Sequence, residues 1–405
     1  MPDNISPEQY HSQVAALNHE IYRLNVRLNE AERRRALEEV HDPLDPFGNP
    51  TEYHESQADY SEILPQINYP GFTVPLDPQF EERKRLKRCY AAAGGCMLAH
   101  FVLSDYVTAG IYAIIRELLR LVSPDASSEA ITRYIARSAI LPALMLLIYG
   151  SFNVIFALLG MKLNSVKPSV LFRTKDYSPG KAGQYCLIGI FLLFVTTLVS
   201  VMTESIFSKY GYTTDVVDLD GVGVTASGKM LMLIYTCIVA PVTEEFFFRG
   251  MLLHGFSKAN QRFAVFFSAL FFGLAHANIP QFLLAFTLGI FLAHITLIHG
   301  SLVPSIIVHI FINSFSTTMS ELDLEGSSLI IANEIFIVLA VIGGILLMIF
   351  RSSHKIPATT PAQTRRGLSL ALATPLVTIT LILQIIYLFS LIFNSAALNS
   401  ISQFL

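Results

Sequence analysis

Charge is scarce in this sequence. Of 405 residues only 15% are Asp, Glu, Lys or Arg, and the formal net charge is −3. That balance gives no reason to propose a nucleic-acid partner. A content of 52% hydrophobic residues with a mean hydropathy of +0.51 also excludes a large soluble core, leaving a polytopic membrane protein. Cysteine is scarce too. Cys89, Cys96, Cys186 and Cys237 lie in or beside apolar runs at no metal-ligand spacing, so they read as reduced core residues and not as a disulfide framework. The first residues lack the basic-then-apolar start of a cleaved signal peptide, which leaves the first span to serve as the insertion signal.

What the sequence does have is apolar length. Runs able to cross a hydrocarbon layer as helices fall near 90–115, 138–161, 184–207, 229–257, 263–279, 281–298, 302–319, 328–350 and 369–395. The expected fold class is therefore all-α: a polytopic membrane helical bundle of eight to nine transmembrane helices over residues 89–405, preceded by a cytoplasmic N-terminal helical extension over residues 1–88.

The extension has three parts. Ser6-Pro7 opens a helix over about 6–40, with Gln9 at the capping-box position, and Tyr10, Val14, Leu17, Ile21, Leu24, Leu28 and Ala31 recur at alternating steps of four and three. That is a short heptad seam. It fits either an amphipathic helix lying on a surface or a coiled coil self-associating through residues 10–31. Prolines at 43, 46, 50, 65, 70, 75 and 78 then mark an extended linker over 41–80, and the basic cluster "RKRLKR" at 83–88 abuts the first span. Loop charges predict a cytoplasmic N-terminus: Lys162, Lys167, Arg173, Lys175, Lys181, Lys258, Arg262, Arg351, Lys355, Arg365 and Arg366 fall inside, and Asp215, Asp218, Asp220, Glu321, Asp323 and Glu325 outside. Arg116, Arg120, Arg133 and Arg137 disagree with this assignment.

Against so little charge, "PVTEEFFFRG" at 241–250 stands out, because it sets Glu244, Glu245 and Arg249 inside an apolar span. A charge at bilayer depth costs about 2.5–3.5 kcal/mol on insertion scales, so such groups face a bundle interior or a wet cavity. Glu245 and Arg249 are four apart on a helix and can neutralise each other, which leaves Glu244 to find a partner on another helix. His276 in the next run, and His309 with Asn313 two runs later, supply such partners at a comparable depth. A glutamate and an imidazole can activate water by general-base catalysis, while a second imidazole and a carboxamide can donate to an oxyanion. The same atoms, Glu244, His276 and His309, are also a donor set for a divalent metal such as zinc, although helical HExxH is absent. His100, His254, His294 and His299 read as packing residues, and nothing pairs Asp105 or Glu204 with the site.

These motifs carry a resemblance. Glu244-Glu245-Phe246-Phe247-Phe248-Arg249 fits EExxxR, Phe272-Gly273-Leu274-Ala275-His276 fits FxxxH, and His309-Ile310-Phe311-Ile312-Asn313 fits HxxxN. In that order on consecutive spans, over about residues 229–319, the chain resembles the CAAX prenyl protease and bacteriocin-processing (CPBP, Abi) family of intramembrane endopeptidases. The resemblance implies that Glu244 and His276 activate the hydrolytic water, that His309 and Asn313 stabilise the oxyanion, and that Glu245 and Arg249 support the site; Phe272 reads as a packing residue. It leaves glutamic-type and metal-dependent hydrolysis open. It implies a hydrolase in a multi-pass integral membrane protein and leaves the substrate open; the placement of the site at bilayer depth favours a membrane-associated or lipid-modified protein or peptide. Two other readings are a catalytically silent immunity or scaffold protein working through its N-terminal region, and a transporter using Glu244 and His276 as a proton relay. The absence of an inverted repeat argues against the transporter.

Overall fold

A computed structural model describes residues 7–40, 78–173, 177–212, 222–258, 260–322, 324–353 and 361–402. The linker over 41–77 and the acidic Asp215, Asp218, Asp220 and Asp323 lie outside these residues, as do Lys175 and Lys355. The chain divides into two units, one holding residues 1–43 and 48–85, the other 44–47 and 86–405. In the first, helix α1 (Pro7–Val40) runs unbroken for 34 residues.

The second unit is built from helices only, among the described residues. They are α2 (Pro78–Val122, which begins in the first unit), α3 (Ser128–Arg137), α4 (Ile140–Leu163), α5 (Pro179–Ser208), α6 (Ala226–Ser257), α7 (Gln261–Leu274), α8 (Ile279–His299), α9 (Val303–Glu321), α10 (Gly326–Ser353), α11 (Pro361–Leu372) and α12 (Pro375–Ser402). Starts are fixed by short polar side chains that take up orphan backbone N–H groups. Ser127 accepts from Ala130 N, Thr225 from Gly228 N, Asn260 from Phe263 N and Asn278 from Gln281 N. The hairpin between α8 and α9 turns on Gly300, whose φ of 58° lies in the left-handed region that glycine enters without steric cost.

Every run read as a span contains a helix, but the lengths differ from expectation. Six helices are long and apolar enough to cross a membrane among the described residues: Leu86–Val122, Ile140–Leu163, Pro179–Ser208, Ala226–Ser257, Ile279–His299 and Gly326–Arg351. The run at 263–279 does not continue as one helix. α7 stops at Leu274 after 14 residues, about 21 Å, short of a hydrocarbon layer of about 30 Å. It breaks where Ala277 takes a positive φ of 57° and Asn278 caps the next helix, so the chain turns there. In contrast, Leu86–Val122 is 37 residues, about 55 Å, and outruns the hydrocarbon layer. Its last turns carry Arg116 and Arg120, both 3.3 Å from Glu117, while Arg133 on α3 pairs with Glu129 at 2.6 Å.

In lipid, helices are not driven together by escape from water; close fit and interhelical hydrogen bonds hold them. α5 packs on α8, α9 and α10, and a shared cluster of Ile188, Leu192, Leu288, Leu292, Ile295, Val308 and Ile312 is almost fully buried between the first three. Gly343 permits the α5–α10 contact, since a Cβ there would fall on the Leu187 carbonyl oxygen. Ile335, Val338, Val341, Ile345 and Met348 on α10 point away and form an apolar outer band of the kind lipid covers. α6 is held by α4, α7 and α9, and so sits at the centre of the polar residues.

Candidate active site

α6 is irregular where the site lies. Two π-helical stretches, Tyr235–Val239 and Glu245–Leu253, flank an α-helical turn at Ala240–Glu244. The first has a cause in the sequence. The Ala240 N–H bonds the Tyr235 carbonyl, five residues back, and the next donor in that register would serve Thr236. That residue is Pro241, which has no N–H. The freed Thr236 carbonyl takes its hydrogen bond from Asn313 Nδ2 on α9, at 3.0 Å. One proline thus prepares the backbone acceptor that anchors a site amide.

The two glutamates have different surroundings. Glu245 is sealed, its side chain 0% exposed like that of Arg249. Arg249 Nη1 lies 2.8 Å from Glu245 Oε1, an ion pair by distance whose angle does not make a hydrogen bond. Arg249 is further held by Nη2 donating to the Gly289 carbonyl at 3.3 Å, and its guanidinium stacks 4.3 Å from the centre of the Phe272 ring. Glu244 keeps 19% of its side chain exposed, so of the adjacent carboxylates it is the one not enclosed by protein.

His309 joins them. Its Nδ1 is 3.0 Å from Glu245 Oε1, and its Nε2 is 3.7 Å from Glu244 Oε2, so the imidazole is set between the sealed carboxylate and the open one. His276 is not on the body of a helix, as the FxxxH spacing suggests, but in the turn after α7. Its Nδ1 meets the Phe272 carbonyl at 2.8 Å, which aims Nε2 elsewhere. The Phe272 ring touches both imidazoles edge-on, with centroid distances of 5.1 Å to His276 and 5.5 Å to His309. Phe272 is therefore more than filler, since it spaces the histidines and covers the arginine. Asn313 follows His309 by one helical turn, tied to Thr236 as described.

Other contacts were not foreseen from sequence. Asn153 on α4, buried, donates to Thr243 Oγ1 at 3.1 Å, and the Thr243 hydroxyl donates to the Val239 carbonyl at 2.8 Å, bracing the turn that presents Glu244. A polar residue in the middle of an apolar run was the available signal. His100 packs on Phe247, His294 on Phe350, and His299 meets the Tyr185 hydroxyl at 2.9 Å, all apart from the glutamates. Asp105 accepts from the Tyr149 hydroxyl at 3.0 Å. As a zinc set, Glu244, His276 and His309 do not come together: among the described residues no three His, Cys, Asp or Glu side chains stand close enough to hold a metal ion. The side chains present do not fit a three-ligand site.

Residues 226–315 match the model of the Rce1-like family, described as type II CAAX prenyl endopeptidase Rce1-like. No curated protein and no solved structure matches the chain significantly. The matched residues begin with α6 and end just after Asn313, so they enclose the glutamates, both histidines and the amide. Over this segment the chain is similar to the CAAX prenyl endopeptidases of the Rce1-like family.

Proposed function

We propose that the protein is an intramembrane endopeptidase that hydrolyses a peptide bond of a membrane-associated or lipid-modified protein or peptide. The observation that carries this reading is the asymmetry of the glutamate pair: Glu245 neutralised and sealed, and Glu244 partly exposed and 3.7 Å from an imidazole. Glu244 is the general base, taking a proton from water as it attacks the carbonyl carbon, with His276 orienting that water. The imidazole of His309 donates from Nδ1 to Glu245 and presents Nε2 on the Glu244 side; as the imidazolium, with a proton on both nitrogens, it donates from Nε2 to the oxyanion. Asn313 spends one amide N–H on Thr236 and has a second for the same oxygen. The proton held by Glu244 then passes to the leaving amine. Six apolar helices of crossing length support placing this chemistry in a membrane; the loop charges of the sequence favour a cytoplasmic N-terminus, and a site at that depth favours substrates already partitioned into the bilayer.

The test is cleavage of a quenched fluorescent peptide library, prenylated and unmodified, by purified protein in detergent. Cleavage that survives a chelator and drops on His276→Ala, by about 10²-fold as for loss of a group that positions the water, supports the reading. Cleavage abolished by chelator would require a metal and overturn the mechanism; cleavage untouched by His276→Ala would remove that residue from it.

A further inference from the structure

The site residues named above all lie in the second unit; helix α1 lies in the first, and its sequence is not that of a plain tether. Val14, Leu17, Ile21 and Leu24 all lie exposed along one side of it. The side chains of Tyr10, Leu28 and Ala31, which continue the repeat, lie outside those described. In heptad terms Val14, Ile21 and Leu28 occupy a, and Tyr10, Leu17, Leu24 and Ala31 occupy d. β-branched residues at a with leucine at d is the pattern that favours two parallel strands.

The neighbours of the seam point the same way. Positions g hold Gln13, Glu20 and Arg27, and positions e of the following heptads hold Asn18, Asn25 and Glu32. In a parallel pair each g faces the partner's next e, giving Gln with Asn, Glu with Asn, and Arg with Glu. No like charges meet. A helix lying in a membrane surface needs a broad apolar face, whereas here amides and charges flank the stripe on both sides and would be pressed toward the acyl chains.

We infer that α1 is a dimerisation element, pairing with the α1 of a second copy of this chain as a parallel two-stranded coiled coil with Val14, Leu17, Ile21 and Leu24 in its seam. Three heptads is short for an isolated coil. Here two-dimensional confinement of both membrane units raises the effective concentration of one α1 for the other.

The test uses the full-length chain in nanodiscs large enough for two copies, with the unsubstituted protein and its four cysteines as baseline. Leu17→Cys and Leu24→Cys should each cross-link to themselves between copies about tenfold faster than His19→Cys and Val26→Cys, which lie at the outward f position. Ile21→Lys should convert a dimeric mass to a monomeric one. Equal cross-linking at d and f, a monomeric unsubstituted chain, or a dimer unaffected by Ile21→Lys would each overturn the inference. A cross-link from Leu17→Cys to Leu24→Cys that outruns both self-pairs would overturn the parallel arrangement.

Discussion

At the scale of single residues, the adjacent glutamates cannot be exchanged for one another. Removing the charge of Glu245 leaves the Arg249 guanidinium buried with a stacked ring, one backbone carbonyl and only the Glu244 carboxylate as a counter-charge. Breaking a buried pair from one side costs about 3–5 kcal/mol. Glu245→Gln is therefore expected to lower the thermal midpoint markedly, whereas Glu244→Gln, at a partly exposed position, should melt like the parent; thermal unfolding followed by tryptophan-free methods such as dye binding or circular dichroism reads the difference. Gly289 offers a second check. A Cβ there would stand 3.2 Å from Arg249 Nη2, from the Ala269 Cβ and from Phe272 Cδ1. Gly289→Ala should destabilise by about 1–3 kcal/mol, the range for overpacking, and should lower activity with it by shifting the arginine that pairs Glu245. The pairing of Glu245 with Arg249 was legible from a spacing of four alone. The second anchor of Arg249 was not, because a backbone carbonyl on another helix leaves no mark in sequence.

At the scale of elements, the break in α6 matters more than any length of regular helix. Pro241→Ala restores an N–H that can serve the Thr236 carbonyl or close a regular turn, in either case competing with the Asn313 amide. The expected result is a folded protein with kcat lowered about tenfold or more, approaching the 10²–10³-fold loss for one oxyanion donor, and with KM little changed. An unchanged kcat would mean that Asn313 does not need Thr236. Sequence periodicity could mark α6 as a span, but it assumes one helical repeat throughout and so misses a shift of hydrogen-bond register within a continuous apolar run. The same assumption carried His276 onto a helix. Leu274 ends α7, and the short side chain of Asn278, capping α8, decides that the chain turns there. The motif residues themselves were readable because charge is so rare in these runs that each polar residue stands out.

At the scale of the molecule, the site is assembled from α6, α9 and the α7–α8 turn, with α4 bracing from behind. These elements fall within the Rce1-like match, except for α4 and the last turns of α9. Asn153 on α4 consequently reaches the site from outside the matched residues, and Asn153→Ala should reduce activity modestly, by about 0.5–1.5 kcal/mol of lost hydrogen bonding to Thr243, without abolishing it. The central claim is that Glu244 is the base for hydrolysis. It is tested most directly by measuring kcat/KM on one cleaved peptide for the parent and for Glu244→Gln, each shown by thermal melting to be equally folded. The account predicts a fall of about 10²–10⁴-fold with an unchanged melt; a folded Glu244→Gln protein that cleaves at the parental rate would contradict it.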